Sequence, residues 1–205
     1  LQSASFSPDG AFLAVIGQDN AMKVWEMDSG KEILSLNGTA AFFSPDGQKL
    51  IVTDANRQVN VWSLASNRLL YHFLCNPFQS ASVLSGDGTR LAAGGVDGAI
   101  HLCEVSPDYE QRVFVSDFSV INIDYSPAQS LIGIASADNV VRLYDAESGA
   151  LRQAVSFPAT AQLDWLALSL DGKRFVTTEK NLFVAMDPEA FLRIWDAASG
   201  EELLR

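Results

Sequence analysis

Short apolar runs broken by single polar residues recur along the whole chain. Met22, Val59, Ile100, Val141 and Leu192 form one apolar column, and Val24, Val61, Leu102, Leu143 and Ile194 form a second column two residues on. Lys23, Asn60, His101, Arg142 and Arg193 stand between them. A period of two places successive side chains on opposite faces of a pleated strand, so each stretch predicts a β-strand with one strongly apolar face. Leu13, Leu50, Leu91, Leu131 and Phe175 open a second strand in each copy. Clusters of Gly, Pro, Asp and Asn separate the runs and mark tight turns, and no segment sustains a helical period.

The turns set a period. SPDG at 7–10 and 44–47, SGDG at 85–88, SPAQ at 126–129 and SLDG at 169–172 end at positions 10, 47, 88, 129 and 172, giving spacings of 37, 41, 41 and 43. A second register mark is Trp25, Trp62, Cys103, Tyr144 and Trp195. Five residues past each lies Gly30, Asn67, Asp108, Gly149 or Gly200, types suited to the positive φ of a hairpin turn. Each copy therefore predicts four strands, the first copy at about 2–6, 11–17, 21–27 and 31–36. A lone four-stranded sheet with apolar residues on both faces must stack on a like neighbour, and a period near 40 residues fits radially stacked sheets.

These residues resemble the WD-repeat β-propellers. The resemblance rests on SPDG, on the strand endings VWE, VWS, LYD and IWD, and on the column Asp19, Asn56, Asp97, Asp138 and Glu189 six residues before the aromatic mark. It covers nearly the whole chain. It implies an all-β fold, a β-propeller of four-stranded antiparallel blades, with blades near 1–37, 38–75, 76–117, 118–157 and 158–205. The family's Gly-His pair before the first strand is missing from every copy, so the Asp column is expected to serve its own turns alone. Such degeneracy points to a divergent branch of the kind common in bacteria. Propellers close with about 4–8 blades, so five copies make either a compact ring or part of a larger one. The start at Leu1 and the stop inside a fourth strand favour the larger ring.

Composition narrows the partners. With 14 basic against 25 acidic residues the net charge is −11, and the basic residues are scattered, which argues against a nucleic-acid partner. Apolar runs such as 12–16 are far shorter than the roughly 20 residues of a membrane-spanning helix, so no membrane insertion is expected. The two cysteines, Cys75 and Cys103, are too few for a disulfide scaffold. Cys103 replaces an aromatic mark and is expected as a packed, reduced thiol, which points to a cytoplasmic location.

Candidate chemistry is sparse. His101 falls in the polar column between the apolar ones, and His72 has no partner at ligand spacing. No zinc spacing, P-loop or phosphate turn is present, so no catalytic, cofactor or metal residues are assigned and no enzyme is expected. Two features suggest a binding surface. Equivalent turns share one rim, where Asp19, Asp97 and Asp138 would make an anionic patch unless each caps its own turn. The fifth copy carries eight extra residues between its second and third strands, around 179–188. Leu182, Phe183 and Met186 in it would contact a partner unless the loop folds back on its own blade. The resemblance implies a scaffold that binds a protein or peptide through rim loops. The alternatives are a regulatory or sensor domain of a multidomain protein and a propeller enzyme with a channel site.

Overall fold

A computed structural model describes residues 1–75, 79–108, 110–115, 118–181 and 190–204. It contains five four-stranded antiparallel sheets, each a meander in chain order. Sheet one is β1 (Ser3–Phe6), β2 (Phe12–Ile16), β3 (Ala21–Glu26) and β4 (Lys31–Asn37). Sheet two is β5 (Ala40–Phe43), β6 (Lys49–Thr53), β7 (Gln58–Ser63) and β8 (Arg68–Leu74). Sheet three is β9 (Gln79–Leu84), β10 (Arg90–Gly95), β11 (Ala99–Glu104) and β12 (Gln111–Val115). Sheet four is β13 (Val120–Ser126), β14 (Leu131–Ser136), β15 (Val140–Asp145) and β16 (Leu151–Ser156). Sheet five is β17 (Ala161–Leu168), β18 (Arg174–Asn181), β19 (Ala190–Asp196) and β20 (Glu202–Leu204). Sheets one and two lie in one compact unit, and sheets three, four and five in a second. Among the described residues no helix is long and apolar enough to cross a membrane.

Alternation decides which side chains bury. In the first unit Met22, Val24 and Leu34 of sheet one pack against Phe43, Leu50 and Val52 of sheet two. In the second, Ile100 and Leu102 meet Ile132 and Ile134, and Val141 and Leu143 meet Phe175 and Trp195. Within each unit the third strand of one sheet thus sends its apolar columns forward onto the second strand of the next. The fourth copy corrects the second-strand column. Leu50 and Phe175 face the preceding sheet, but Leu131 packs forward with sheet five and Ile132 takes the rearward role. The cause is spacing: Ile132, not Leu131, stands three residues after the turn's last position, as Leu13, Leu50, Leu91 and Phe175 do. One residue along a strand changes the face.

The serine–aspartate turns are built alike. The Ser7 hydroxyl donates to Asp9 Oδ1 at 2.6 Å and accepts the Phe12 amide at 2.9 Å, while Asp9 Oδ1 also accepts the Ala11 amide at 3.0 Å. Ser44 with Asp46 and Ser169 with Asp171 repeat the pattern at 2.5 and 2.6 Å. The serine hydroxyls, helped by the turn amides, hold these three exposed carboxyls below the ordinary aspartate value. A carboxyl whose folded-state pKa is lowered stabilises the fold above its unfolded value of about 3.9. That contribution disappears as pH falls through the lower folded value. Stability should therefore decline below about pH 4, and the triple variant D9N/D46N/D171N should show a shallower decline. Melting temperature followed from about pH 6 to pH 2 measures this, and identical slopes would place the acid sensitivity elsewhere.

The cysteines correct another expectation. Cys75 and Cys103 are fully buried, and both are disulfide-bonded instead of reduced. Persistent disulfides belong to oxidising surroundings, so the packed-thiol argument for a reducing compartment loses its basis.

Candidate functional site

The connections between second and third strands carry the acidic column, and in the fourth copy the polar column on the third strand supplies its partner. Asp138 receives a bidentate hydrogen bond from Arg142, with Nη2 to Oδ2 at 2.6 Å and Nη1 to Oδ1 at 3.2 Å. Arg142 Nη1 also reaches Ser136 Oγ at 3.2 Å, and the guanidinium lies 5.7 Å from the centre of the Phe118 ring. In sheet five Arg193 pairs with Glu179 of the second strand, which is not a column residue. In sheet two Asn60 donates to Asp54 at 3.4 Å. Asp138 therefore does not serve its turn alone. A cation from its own sheet occupies it, as expected for a carboxylate with no imidazole to hold.

Asp19 and Asp97 stay exposed and cap their turns, accepting the Ala21 amide at 3.2 Å and the Ala99 amide at 3.1 Å. In the second copy Asp54 takes over this work from the column residue Asn56. Its Oδ1 accepts the Asn56 amide at 2.8 Å and the Gln58 amide at 3.0 Å. Each acidic group thus acts within its own sheet. Leu182, Phe183 and Met186 lie outside the described residues. His101 sits inside β11, buried against the Gln111 amide. Burial pushes it below the ordinary histidine value, and the Asp97 carboxylate opposes that shift.

A concave site lies on the opposite rim, where strands one and two, and three and four, are joined. Sheets four and five leave a groove of about 500 Å³ there. Its walls are Gln129 and Leu131, Arg152, the turn residues Gly172 and Lys173, and the stretch Asp196–Ala198. Cross-sheet hydrogen bonds fix both walls. Ser126 Oγ donates to the Leu170 carbonyl at 3.1 Å, and Gln153 Nε2 donates to the Ser199 carbonyl at 2.7 Å. Gly172 (φ 66°) brings the turn so close that a Cβ there would lie 2.5 Å from Gln129 Cγ. Deeper between the sheets, Asn122 and Asp124 accept the Leu166 and Leu168 amides at 3.1 and 2.7 Å. Burial raises the Asp124 pKa, against the pull of the Leu168 and Tyr125 amides.

The groove mixes charges. The Arg152 guanidinium is paired with Asp145. Amide and hydroxyl groups of Ser199 hold Asp196 below the ordinary aspartate value. Among the described residues no ion pair engages the Lys173 ammonium. Beside it Leu170 is 83 % exposed.

Residues 1–26 match the family model described as WD domain, G-beta repeat. The chain is 24 % identical over 145 residues to human WD repeat and HMG-box DNA-binding protein 1, covering 68 % of this chain and 13 % of that protein. It is 26 % identical over 126 residues to Xenopus tropicalis WD repeat-containing protein 1, covering 58 % and 21 %. These matches support a WD-repeat propeller family. A solved structure of Kuenenia stuttgartiensis hydrazine synthase superposes with a TM-score of 0.78 at 18 % identity, covering 98 % of this chain and 65 % of that one. At that identity the likeness concerns the fold alone, a propeller-like all-β architecture.

WD repeats generally mediate protein–protein interaction, and the groove is the concave site this copy of the architecture builds between two of its repeats. The sequence reading treated the SPDG turns as register marks and so passed over the groove. The signal was present: SPAQ and SLDG depart from SPDG in the two adjacent copies that form it. Gln129 replaces the turn glycine, and Leu170 replaces the turn proline.

Proposed function

We propose that this chain is a protein-binding platform that takes a short peptide segment of its partner in the groove between the fourth and fifth sheets, and that it acts by binding and not by catalysis. The carrying observation is the combination of an open, cross-braced groove with an exposed Leu170 and an ammonium, Lys173, that no ion pair engages among the described residues. A partner's apolar side chain would cover Leu170 and Leu131. Its backbone or side-chain oxygens would meet Lys173 and Gln129, and its amides would meet Asp196. Rigid walls lower the ordering cost of binding, which suits recognition by turns on a stiff scaffold.

Selection from a random displayed-peptide library against the folded protein tests this reading. Selected peptides should lose affinity by about tenfold or more for the double variant L170D/K173E, whose melting temperature should stay unchanged because both residues are at the surface. Peptides that bind this variant normally but fail on D19N/D97N would move the site to the opposite rim. A selection that enriches nothing would overturn the proposal.

A further inference from the structure

The groove between sheets four and five has a sealed counterpart between sheets three and four, in the same compact unit. There Glu147, in the turn between β15 and β16, sends its carboxylate back to sheet three. Arg90 donates to its Oε1, and Arg112 lies 3.6 Å from its Oε2 and donates to its carbonyl. The Arg90 hydrogen bond holds this carboxyl below the ordinary glutamate value. Phe114 of β12 fills the space beside Gly149, where a Cβ would lie 2.2 Å from Phe114 Cε1. Two arginines, a glutamate and a phenylalanine thus close that junction from within.

One copy later each of the four gives way to a smaller, uncharged side chain. Leu131 stands where Arg90 does, two residues past its turn, and Ala198 where Glu147 does, three residues past its aromatic mark. Gln153 pairs with Leu143 as Arg112 pairs with Leu102, and Val155 pairs with Val141 as Phe114 pairs with Ile100. Leu131 and Ala198 line the groove, which therefore opens where the counterpart junction keeps its own carboxylate and clamp. Most of the charge left there is engaged. Arg152 is paired with Asp145, and Asp196 Oδ1 accepts the Ala198 and Ser199 amides at 3.0 and 2.8 Å. Lys173, whose carbonyl accepts the Ala197 amide at 2.9 Å, keeps an ammonium that no ion pair engages among the described residues.

We propose that the peptide segment taken by this groove is one that brings a carboxylate, from an Asp or Glu side chain or from a chain terminus, to Lys173. The inference rests on the peptide-binding reading of the groove and names the chemistry of the occupant. The partner's carboxylate supplies from outside what Glu147 supplies from within one junction earlier, and an ammonium binds it through charge-assisted hydrogen bonds. Leu131 and the exposed Leu170 set a bulky apolar side chain beside that carboxylate in the peptide. A chain of net charge −11 repels an acidic segment over most of its surface, so such a segment is held only where a local cation meets it.

The test selects peptides from two random libraries, one with a free C-terminus and one with the random segment followed by a fixed neutral tail. Asp or Glu enriched in both assigns a side-chain carboxylate. Enrichment confined to the first library, with no acidic residue in common, assigns the terminal one. Titration calorimetry on a selected synthetic peptide then closes a double-mutant cycle. Converting its carboxylate to the amide, or Lys173→Met in the protein, should each cost about tenfold in affinity, and the two together no more than either alone. A198E restores the carboxylate of the counterpart junction and should weaken the acidic peptide about tenfold more than A198Q, which has the same size without the charge. Lys173 and Ala198 are exposed, so melting temperatures should hold. Peptides that lose affinity for L170D/K173E but bind equally well as neutral amides would keep the groove as a peptide site and overturn the carboxylate. Additive effects in the cycle, or an A198E cost no larger than that of A198Q, would overturn it too. Libraries that enrich nothing would overturn both readings.

Discussion

Replacing Trp195 by alanine should lower stability by about 3–5 kcal/mol, among the largest single effects available in this chain. The indole is buried where sheets four and five meet. It stacks on Phe175 with ring centres 5.9 Å apart and planes 9° apart, and meets Phe157 edge-on at 5.2 Å and 71°. Its Nε1 donates to Thr177 Oγ1 at 2.9 Å. Truncation removes a large apolar contact and leaves a cavity that two sheets cannot fill without moving backbone. Thr177→Val separates the polar part, because it keeps the shape and strands the buried N–H, at about 1–3 kcal/mol. Trp165, half exposed on the other face of the sheet, is the control. Urea unfolding followed by far-UV circular dichroism gives all three values. A cost for Trp195→Ala no larger than that for Trp165→Ala would mean that the two sheets do not share this core.

The five-sheet repeat was legible because three signals of different physical origin coincide: alternation for faces, turn chemistry for connections, and an aromatic mark for register. Gly30, Asn67, Gly149 and Gly200 do adopt φ between 55° and 73°. Other features were harder to see because they depend on neighbours in space. The partnership of Asp138 with Arg142 joins two columns that the sequence presents as unrelated, one in a turn and one on a strand. Asp54 shows that a carboxylate two residues before its column can hold the same amides, so position alone misplaced that cap. Leu131 misled because it stands one residue short of the column position that Ile132 fills, and along a strand one residue changes the face. The state of Cys103 depends on another sulfur being within bonding reach, which spacing along the chain does not reveal. The rim groove is the clearest omission, since its walls come from two repeats and no single repeat contains it.

Converting Arg193 to methionine should cost about 3–5 kcal/mol, while the double variant E179L/R193M should be near neutral or more stable than the wild type. Glu179 is almost wholly buried in β18, and its Oε1 takes the Arg193 guanidinium, which also reaches Glu202 at 3.0 Å. Among the described residues Glu179 Oε2 and Arg193 Nε are buried with no hydrogen-bond partner. The pair therefore bears desolvation that its contacts only partly offset, and removing one member leaves an uncompensated buried charge. Removing both exchanges that penalty for apolar packing beside Leu163 and Phe191, so the two substitutions should be strongly non-additive in a double-mutant cycle. The pair also bears on strand register. Glu179 lies opposite Phe191 and Arg193 opposite Thr177, so a slip of one residue between β18 and β19 would turn one charge into the apolar forward face. The double variant should then keep its stability but lose protection of the β18 and β19 amides in hydrogen exchange, as alternative registers become accessible. Unchanged protection would show that Trp195 and Phe175 fix the register without the ion pair.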